Sequence, residues 1–197
     1  DRRKKYVLRP WFKINKGELR GIGTEYGARI TLKPTNNINF SINSSIEDRP
    51  GSMQWVDIVD NANGAFEDAN GKYDIVYANI KREQLNTELR LNIAFTSRMT
   101  FEAFYQPFNV KMDYKDYSSL EREKSLSINP FSYNRDEDFE IDNQRGTFVY
   151  RWEYKPGSLV YIVYNLNDNN YFSSEDQEWS QSKSNSLFLK FDYFFQP

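Results

Sequence analysis

Apolar and polar residues alternate along most of this chain with a period of two. That is the spacing of a β-strand whose two faces meet different surroundings. Near the end, Leu187, Leu189, Phe191, Tyr193 and Phe195 share one face, while Phe188, Lys190, Asp192 and Phe194 share the other. From Gly146 onward, Phe148, Tyr150, Trp152 and Tyr154 oppose Thr147, Val149, Arg151, Glu153 and Lys155. Leu85, Leu89, Leu91, Ile93 and Phe95 alternate with Gln84, Asn86, Glu88, Arg90 and Asn92. Ile38, Phe40, Ile42 and Ile46 alternate with Asn37, Asn39, Ser41, Asn43, Ser45 and Glu47. Helical signals are weak throughout.

The pattern predicts eight strands, at 6–15, 20–33, 37–47, 83–96, 99–109, 146–155, 158–167 and 185–195. Met53–Val59 and Tyr73–Ile80 read as extensions of the third and fourth that pair above the main sheet. Pro34–Asn37, Thr96–Met99 and Lys155–Ser158 carry turn chemistry, and Pro156-Gly157 supplies the φ > 0 position of a tight turn. The connections between these hairpins are expected to be long polar surface loops, at about 48–82, 110–145 and 168–184, with Lys16–Leu19 as a short exception. Short turns at one end and long loops at the other describe an antiparallel up-and-down transmembrane β-barrel. A tilted strand crosses a bilayer in about 9–11 residues, which these segments supply. Only a closed barrel leaves no unpaired strand backbone in lipid. A soluble sandwich uses the same alternation, with its apolar face on a core and its polar face in water. In a barrel, the polar face is enclosed and its charges should pair. Arg151 with Glu153, Glu88 with Arg90, and Lys190 with Asp192 are the expected lumen pairs. Phe148, Tyr150, Trp152, Tyr154, Phe191, Tyr193 and Phe195 are the expected membrane-facing aromatics, the last of each strand at the interfacial girdle.

Composition sharpens this picture. Mean hydropathy is −0.81, yet 15 Phe, 14 Tyr and 4 Trp make 17% of the 197 residues aromatic. So many rings in so polar a chain imply sorting onto one face. No apolar run approaches the length of a membrane-spanning helix. With Cys 0 and His 0, disulfide scaffolds, Cys or His nucleophiles, histidine metal sites and histidine switches are excluded. A net charge of −2 provides no bulk electrostatic case for nucleic acid. The basic Asp1–Lys5 start lacks the apolar core of a signal peptide, so the chain reads as mature, trimmed, or the C-terminal part of something longer.

Two stretches go beyond pattern. Arg82–Asn92, Met99–Phe108 and Asp113–Tyr117 form one, with its LRLN and YQPF runs; Phe148–Ser158 and Leu159–Tyr164 form the other, with RWEYKPGS. Together with the aromatic final strand they resemble the C-terminal barrel region of the DUF5916 family, over roughly 73–195 best. The resemblance implies outer-membrane-associated proteins, common in Bacteroidota, often with an N-terminal carbohydrate-binding domain of the family 9 type. It implies that residues 1–197 are the C-terminal portion of a larger barrel. It transfers no catalytic residue.

Candidate chemistry is sparse. Asp136, Glu137, Asp138, Glu140 and Asp142 cluster in one predicted loop. A retaining glycosidase needs two carboxyls about 5–5.5 Å apart on a rigid frame, which a polar loop does not provide. Calcium suits them better, with Asp136, Asp138, Glu140 and Asp142 as candidate ligands, although the EF-hand spacing is absent. Asp60–Gly64 and Glu67–Gly71 resemble fragments of calcium loops and read equally as Asn-Gly turns. Otherwise no cofactor is expected. Tyr114, Tyr117, Tyr133, Tyr171 and Trp179 either stack on sugars or partners, or pack the loops together. Gly21-Ile-Gly23 lacks the third glycine and the helix of a phosphate loop.

The expected role is a non-enzymatic barrel of the bacterial outer membrane, serving as anchor, pore or component of a surface complex for glycan handling or protein export. Its partners are the lipid bilayer and other outer-membrane or surface proteins. A surface glycoside hydrolase and a soluble carbohydrate-binding β-sandwich are the alternatives.

Overall fold

A computed structural model describes residues 4–17, 21–122 and 127–195. Asp1–Arg3, and Glu18 and Leu19 of the Lys16–Leu19 turn, lie outside them. The described residues form one antiparallel sheet of ten strands: β1 (Tyr6–Gly17), β2 (Gly21–Leu32), β3 (Ile38–Asp60), β4 (Phe66–Asp68), β5 (Gly71–Thr96), β6 (Met99–Leu120), β7 (Ile128–Pro130), β8 (Phe139–Lys155), β9 (Ser158–Ser173) and β10 (Glu178–Asp192). The spatial order is β1-β2-β3-β5-β6-β8-β9-β10, each strand beside its predecessor, with β4 on the tip of β5 and β7 on the tip of β6. The fold is therefore all-β and up-and-down. The sheet is not closed, since β1 and β10 each have one neighbour.

The eight long strands are those the alternation predicts, but six of them run further. The segments expected as loops at 48–82, 110–145 and 168–184 are mostly strand: β3 and β5 continue as a paired ribbon to Asp60 and Gly71, β6 to Leu120, β8 starts at Phe139, and β9 pairs with β10 up to Ser173 and Glu178. The reason is that backbone pairing does not need an apolar face. The expected extensions Met53–Val59 and Tyr73–Ile80 do pair above the main sheet, with Val76, Ala78 and Ile80 buried on one face, whereas the Asn-, Asp- and Lys-rich remainder lacks the alternation by which strands are recognised. Gly51 (φ 71) sits in the register shift between Arg49 and Ser52, where β3 passes from the main sheet into the ribbon. β10 stops at Asp192, so Tyr193–Phe195 lie beyond the strand.

Every contact between elements is a contact between hydrogen-bonded neighbours. The described residues thus form one layer, and not the two layers of a sandwich. The best buried apolar residues are Phe66, Val76, Ala78, Ile80, Val110 and Met112. They all lie on the extended ribbons, leaving the main sheet without a conventional core.

Candidate functional site

The pairing register assigns every main-sheet residue to a face, because directly paired residues point the same way. Leu187, Tyr164, Phe148, Ala103, Leu91, Phe40, Leu32 and Tyr6 form one continuous row across all eight long strands. The rows two residues to either side on this face hold Leu189, Ile162, Tyr150, Phe101, Ile93 and Ile38, and Leu166, Tyr105, Leu89, Ile42, Ile30 and Leu8. This is a broad apolar band, interrupted below its Leu85–Ile46 edge by Ser44 and Thr87, which hydrogen-bond to each other at 2.8 Å, and nothing among the described residues covers it. Leu8, Phe12, Leu187, Leu189 and Phe191 are each about three-fifths exposed or more.

The band is slanted. Its upper margin passes from Leu187 on β10 through Leu166, Pro107, Leu85, Ile46 and Tyr26 to Ile14 on β1. Leu187 shares its row with Tyr6, and Ile14 lies eight residues beyond Tyr6, so the margin climbs eight residues in seven strand-to-strand steps. At about 3.3 Å per residue and about 4.8 Å per step, that is an inclination of about 38° to the rows. The short turns follow the same slope: Leu32, before the first, lies in the Leu187 row, whereas Lys155, before the last, lies seven residues past Phe148 of that row. Just above the margin the same face turns ionic. Asp168–Lys183 (3.4 Å) marks the change on β9 and β10; Lys111–Asp113 (3.4 Å) and Lys81–Glu83 mark it higher on β6 and β5. The Glu83 carboxyl is held below its usual range by the hydrogen bond from Lys81.

The opposite face is polar. Of the three expected ion pairs, Arg90–Glu88 (2.5 Å) and Lys190–Asp192 (3.0 Å) form. Arg151–Glu153 does not: Glu153 Oε1 instead accepts from the Gly157 N–H at 2.9 Å and closes the Lys155–Ser158 turn, where Gly157 takes φ 76. The strongest network escaped sequence reasoning, because its partners are brought together by register and not by spacing. Glu47, one-seventh exposed, accepts from Arg49 (2.7 Å) and from Arg82 across the β3–β5 pair (2.5 Å). Glu25 likewise accepts from Lys13 Nζ and Trp11 Nε1, both at 3.1 Å. The Trp11 ring lies over Gly27, its direct cross-strand partner, where a Cβ would come within 2.5 Å of the indole.

All seven expected membrane-facing aromatics are described. Phe148, Tyr150 and Trp152 lie in the apolar band, with Phe148 packed on Tyr164 (6.0 Å) and Trp152 on Tyr154 (6.1 Å). Phe191 ends the band on β10, and Tyr193 and Phe195 extend past it, strongly exposed.

The acidic cluster does not assemble as a ligand set. Asp136 Oδ1 accepts from the Asp138 N–H (3.0 Å), Asp138 Oδ1 accepts from the Tyr114 N–H (2.5 Å), and Glu140 Oε1 accepts from Asn109 (2.9 Å). Glu140 and Asp142 are held apart on the extended start of β8, and no group of three acidic side chains among the described residues is placed to hold a metal ion. The Asn-Gly segments are turns: Asn63 N–H donates to Asn61 Oδ1 (3.0 Å), Asn70 N–H to Asp68 Oδ1 (2.8 Å), and the buried Asp74 carboxylate accepts from Asn61 (2.6 Å) and the Ala65 N–H (3.1 Å).

The loop aromatics pack on one another, Tyr117 on Tyr133 (4.8 Å), Tyr114 and Tyr171 on either side of Phe139 (6.2 and 5.6 Å), and Trp179 on Phe172 (5.3 Å). Tyr133 also ties the two ribbons together. Its hydroxyl lies within hydrogen-bond reach of Glu137 (2.7 Å) and Asp57 (3.1 Å), and Arg135 pairs with Asp57. Burial, then the bond to Glu137, pushes the Tyr133 hydroxyl well above the ordinary tyrosine range. Burial also raises Tyr114, Tyr117 and Asp138.

The model of one protein family, described as a domain of unknown function (DUF5916), matches residues 1–196. The chain belongs to the DUF5916 family. No curated protein and no solved structure matches it. For this DUF5916 chain the family assignment carries no activity, and the geometry of its two faces has to supply the functional reading.

Proposed function

We propose that this DUF5916 chain is part of the wall of an outer-membrane β-barrel, acting without catalysis as an anchor, pore or surface-complex component. The slanted apolar band is the observation that carries this reading. A bilayer is flat, so a band inclined about 38° to the hydrogen-bonded rows means strands tilted about 38° from the membrane normal, within the about 35–45° of such barrels. On β5 the band runs from Leu85 to Phe95. Ten steps at about 3.3 Å, tilted this far, span about 26 Å, against an apolar height of about 25 Å in outer-membrane barrels. A soluble sheet has no reason to tilt its apolar margin by the barrel angle. The polar face then lines the interior, where ion pairs such as Glu47 with Arg49 and Arg82 are enclosed. The ribbons of β3, β5, β6 and β8 rise above the membrane. Closure comes from further strands that pair with β1 and β10, since unpaired backbone is not tolerated in hydrocarbon.

Brominated lipids test this directly. In vesicles, a variant keeping only Trp152, on the apolar face, is expected to lose fluorescence to bromines on the acyl chains. A variant keeping only Trp11, on the polar face, is expected to keep it. Equal quenching of both, or of neither, would rule the wall reading out.

A further inference from the structure

On the polar face, near the short-turn end, a cavity of about 290 Å³ is lined by Val7, Arg9, Arg29, Thr31, Lys33, Asn39 and Ser41. Arg9 and Arg29 are direct cross-strand partners. Like charges so placed destabilise a sheet unless something neutralises them. Neither guanidinium has an ion-pair or hydrogen-bond partner among the described residues. The acid nearest in register, Glu88, lies beyond Asn43 in the same row and is already paired with Arg90. Glu102, in the row of Asn39 and Asn92, is two strands further along the sheet than Asn39. The hydroxyls of Thr31 and Ser41, paired across β2 and β3, sit between the arginines and Lys33. Two forked donors and two hydroxyls around one cavity exceed what a planar carboxylate can accept, and they match a tetrahedral dianion.

We propose that this cavity binds the phosphate group of a small soluble phosphorylated compound, with Arg9 and Arg29 as its principal ligands. The site stands on the polar face itself and does not depend on the membrane reading. The test is calorimetric titration of the refolded chain in detergent with inorganic phosphate, against acetate at matched ionic strength. Saturable phosphate binding is expected, with acetate at least about tenfold weaker. Arg9→Gln and Arg29→Gln should each weaken it by about tenfold or more, the scale of a lost charge-assisted bond. Arg9→Lys keeps the charge but loses the fork and should fall between, which keeps the test alive should a glutamine variant fail to fold. Glycerol 1-phosphate should compete. Phosphate binding no tighter than acetate, or unchanged in folded arginine variants, would overturn the assignment. So would binding confined to micelles doped with phosphatidylglycerol, which would give the cavity to a lipid headgroup.

Discussion

Leu91, Leu187 and Tyr6 lie in one hydrogen-bonded row of the sheet, yet a tilted wall puts them at three depths. From β5 to β10 is four strand steps, and from β5 to β1 is three. At about 4.8 Å per step and about 38° of tilt, Leu187 lies about 12 Å towards the long-ribbon end and Tyr6 about 9 Å towards the short turns. Leu91 is close to the middle of a band about 26 Å high. Arginine on the lipid face costs about 2–4 kcal/mol at the midplane and about 0–1 near the interfaces. Leu91→Arg is therefore expected to lose about 2–4 kcal/mol, and Leu187→Arg and Tyr6→Arg no more than about 1. The assay is reversible denaturant unfolding from phospholipid vesicles, with slopes compared so that midpoints convert to stability. A single layer bathed in water does not separate the three by depth. Leu187 and Tyr6 are about two-thirds exposed and Leu91 is half-buried, but all three substitutions would stay within surface-scale effects of about ±0.5 kcal/mol. Three equal, small costs would refute the tilt and the membrane reading with it.

Glu47→Gln removes the common acceptor of Arg49 and Arg82 and is expected to cost about 1–3 kcal/mol by the same unfolding assay, since both guanidiniums remain on the polar face. Gly27→Val drives a side chain into Trp11 and the Ser44 carbonyl oxygen, each 2.5 Å from the added Cβ, and should lower stability by about 1–3 kcal/mol with a shift in Trp11 fluorescence. Tyr133→Phe should speed amide exchange in the β3–β5 ribbon while leaving vesicle insertion intact, because the latch to Asp57 and Glu137 lies outside the apolar band. Asp138 has a raised folded-state pKa, from burial and then its acidic neighbours Asp136 and Asp113, so the folded chain binds that proton more readily than the unfolded chain. Its charge therefore opposes folding above the raised value, and the penalty fades as pH falls through it. Asp138→Asn, which retains an acceptor for the Tyr114 N–H, should gain stability at neutral pH and nothing below pH ~4, read from unfolding midpoints across pH.

The main sheet was legible because its two faces meet opposite surroundings, and alternation records that difference directly. All eight long strands were visible for this reason. The ribbons were legible in part: Met53–Val59 and Tyr73–Ile80 read as paired extensions and do pair, while the Asn-, Asp- and Lys-rich remainder carries no alternation and its pairing resides in the backbone. Site chemistry followed the same division. Glu88–Arg90 and Lys190–Asp192 are two residues apart on one strand and could be read from spacing. Glu47–Arg82 spans 35 residues and Asp57–Arg135 spans 78, so only the register and the fold of the ribbons reveal them. Arg151–Glu153 had the right spacing and failed, because a turn N–H two residues past the strand offered Glu153 a nearer donor.

The edges of the sheet raise a demand that does not depend on the solvent. β1 presents twelve residues and β10 fifteen with one side of the backbone unpaired. In water, a long apolar edge such as Leu187–Phe191 is a template for aggregation. In hydrocarbon it is excluded outright. Either environment therefore requires a strand on each edge, and only two sources exist: the opposite edge, or strands outside these eight. The slope of the band fixes what self-closure would look like. Levelling the band across the seam sets Leu187 beside Ile14, and hence Leu189 beside Phe12, on the same face. β1 and β10 make no contact in the sheet as folded, and the proposed reading takes the wall to be wider than eight strands. Cysteines at Phe12 and Leu189 then remain free under mild oxidation in vesicles. An intramolecular disulfide between them would require Cα atoms within about 7 Å, and finding it would show a closed barrel of eight strands.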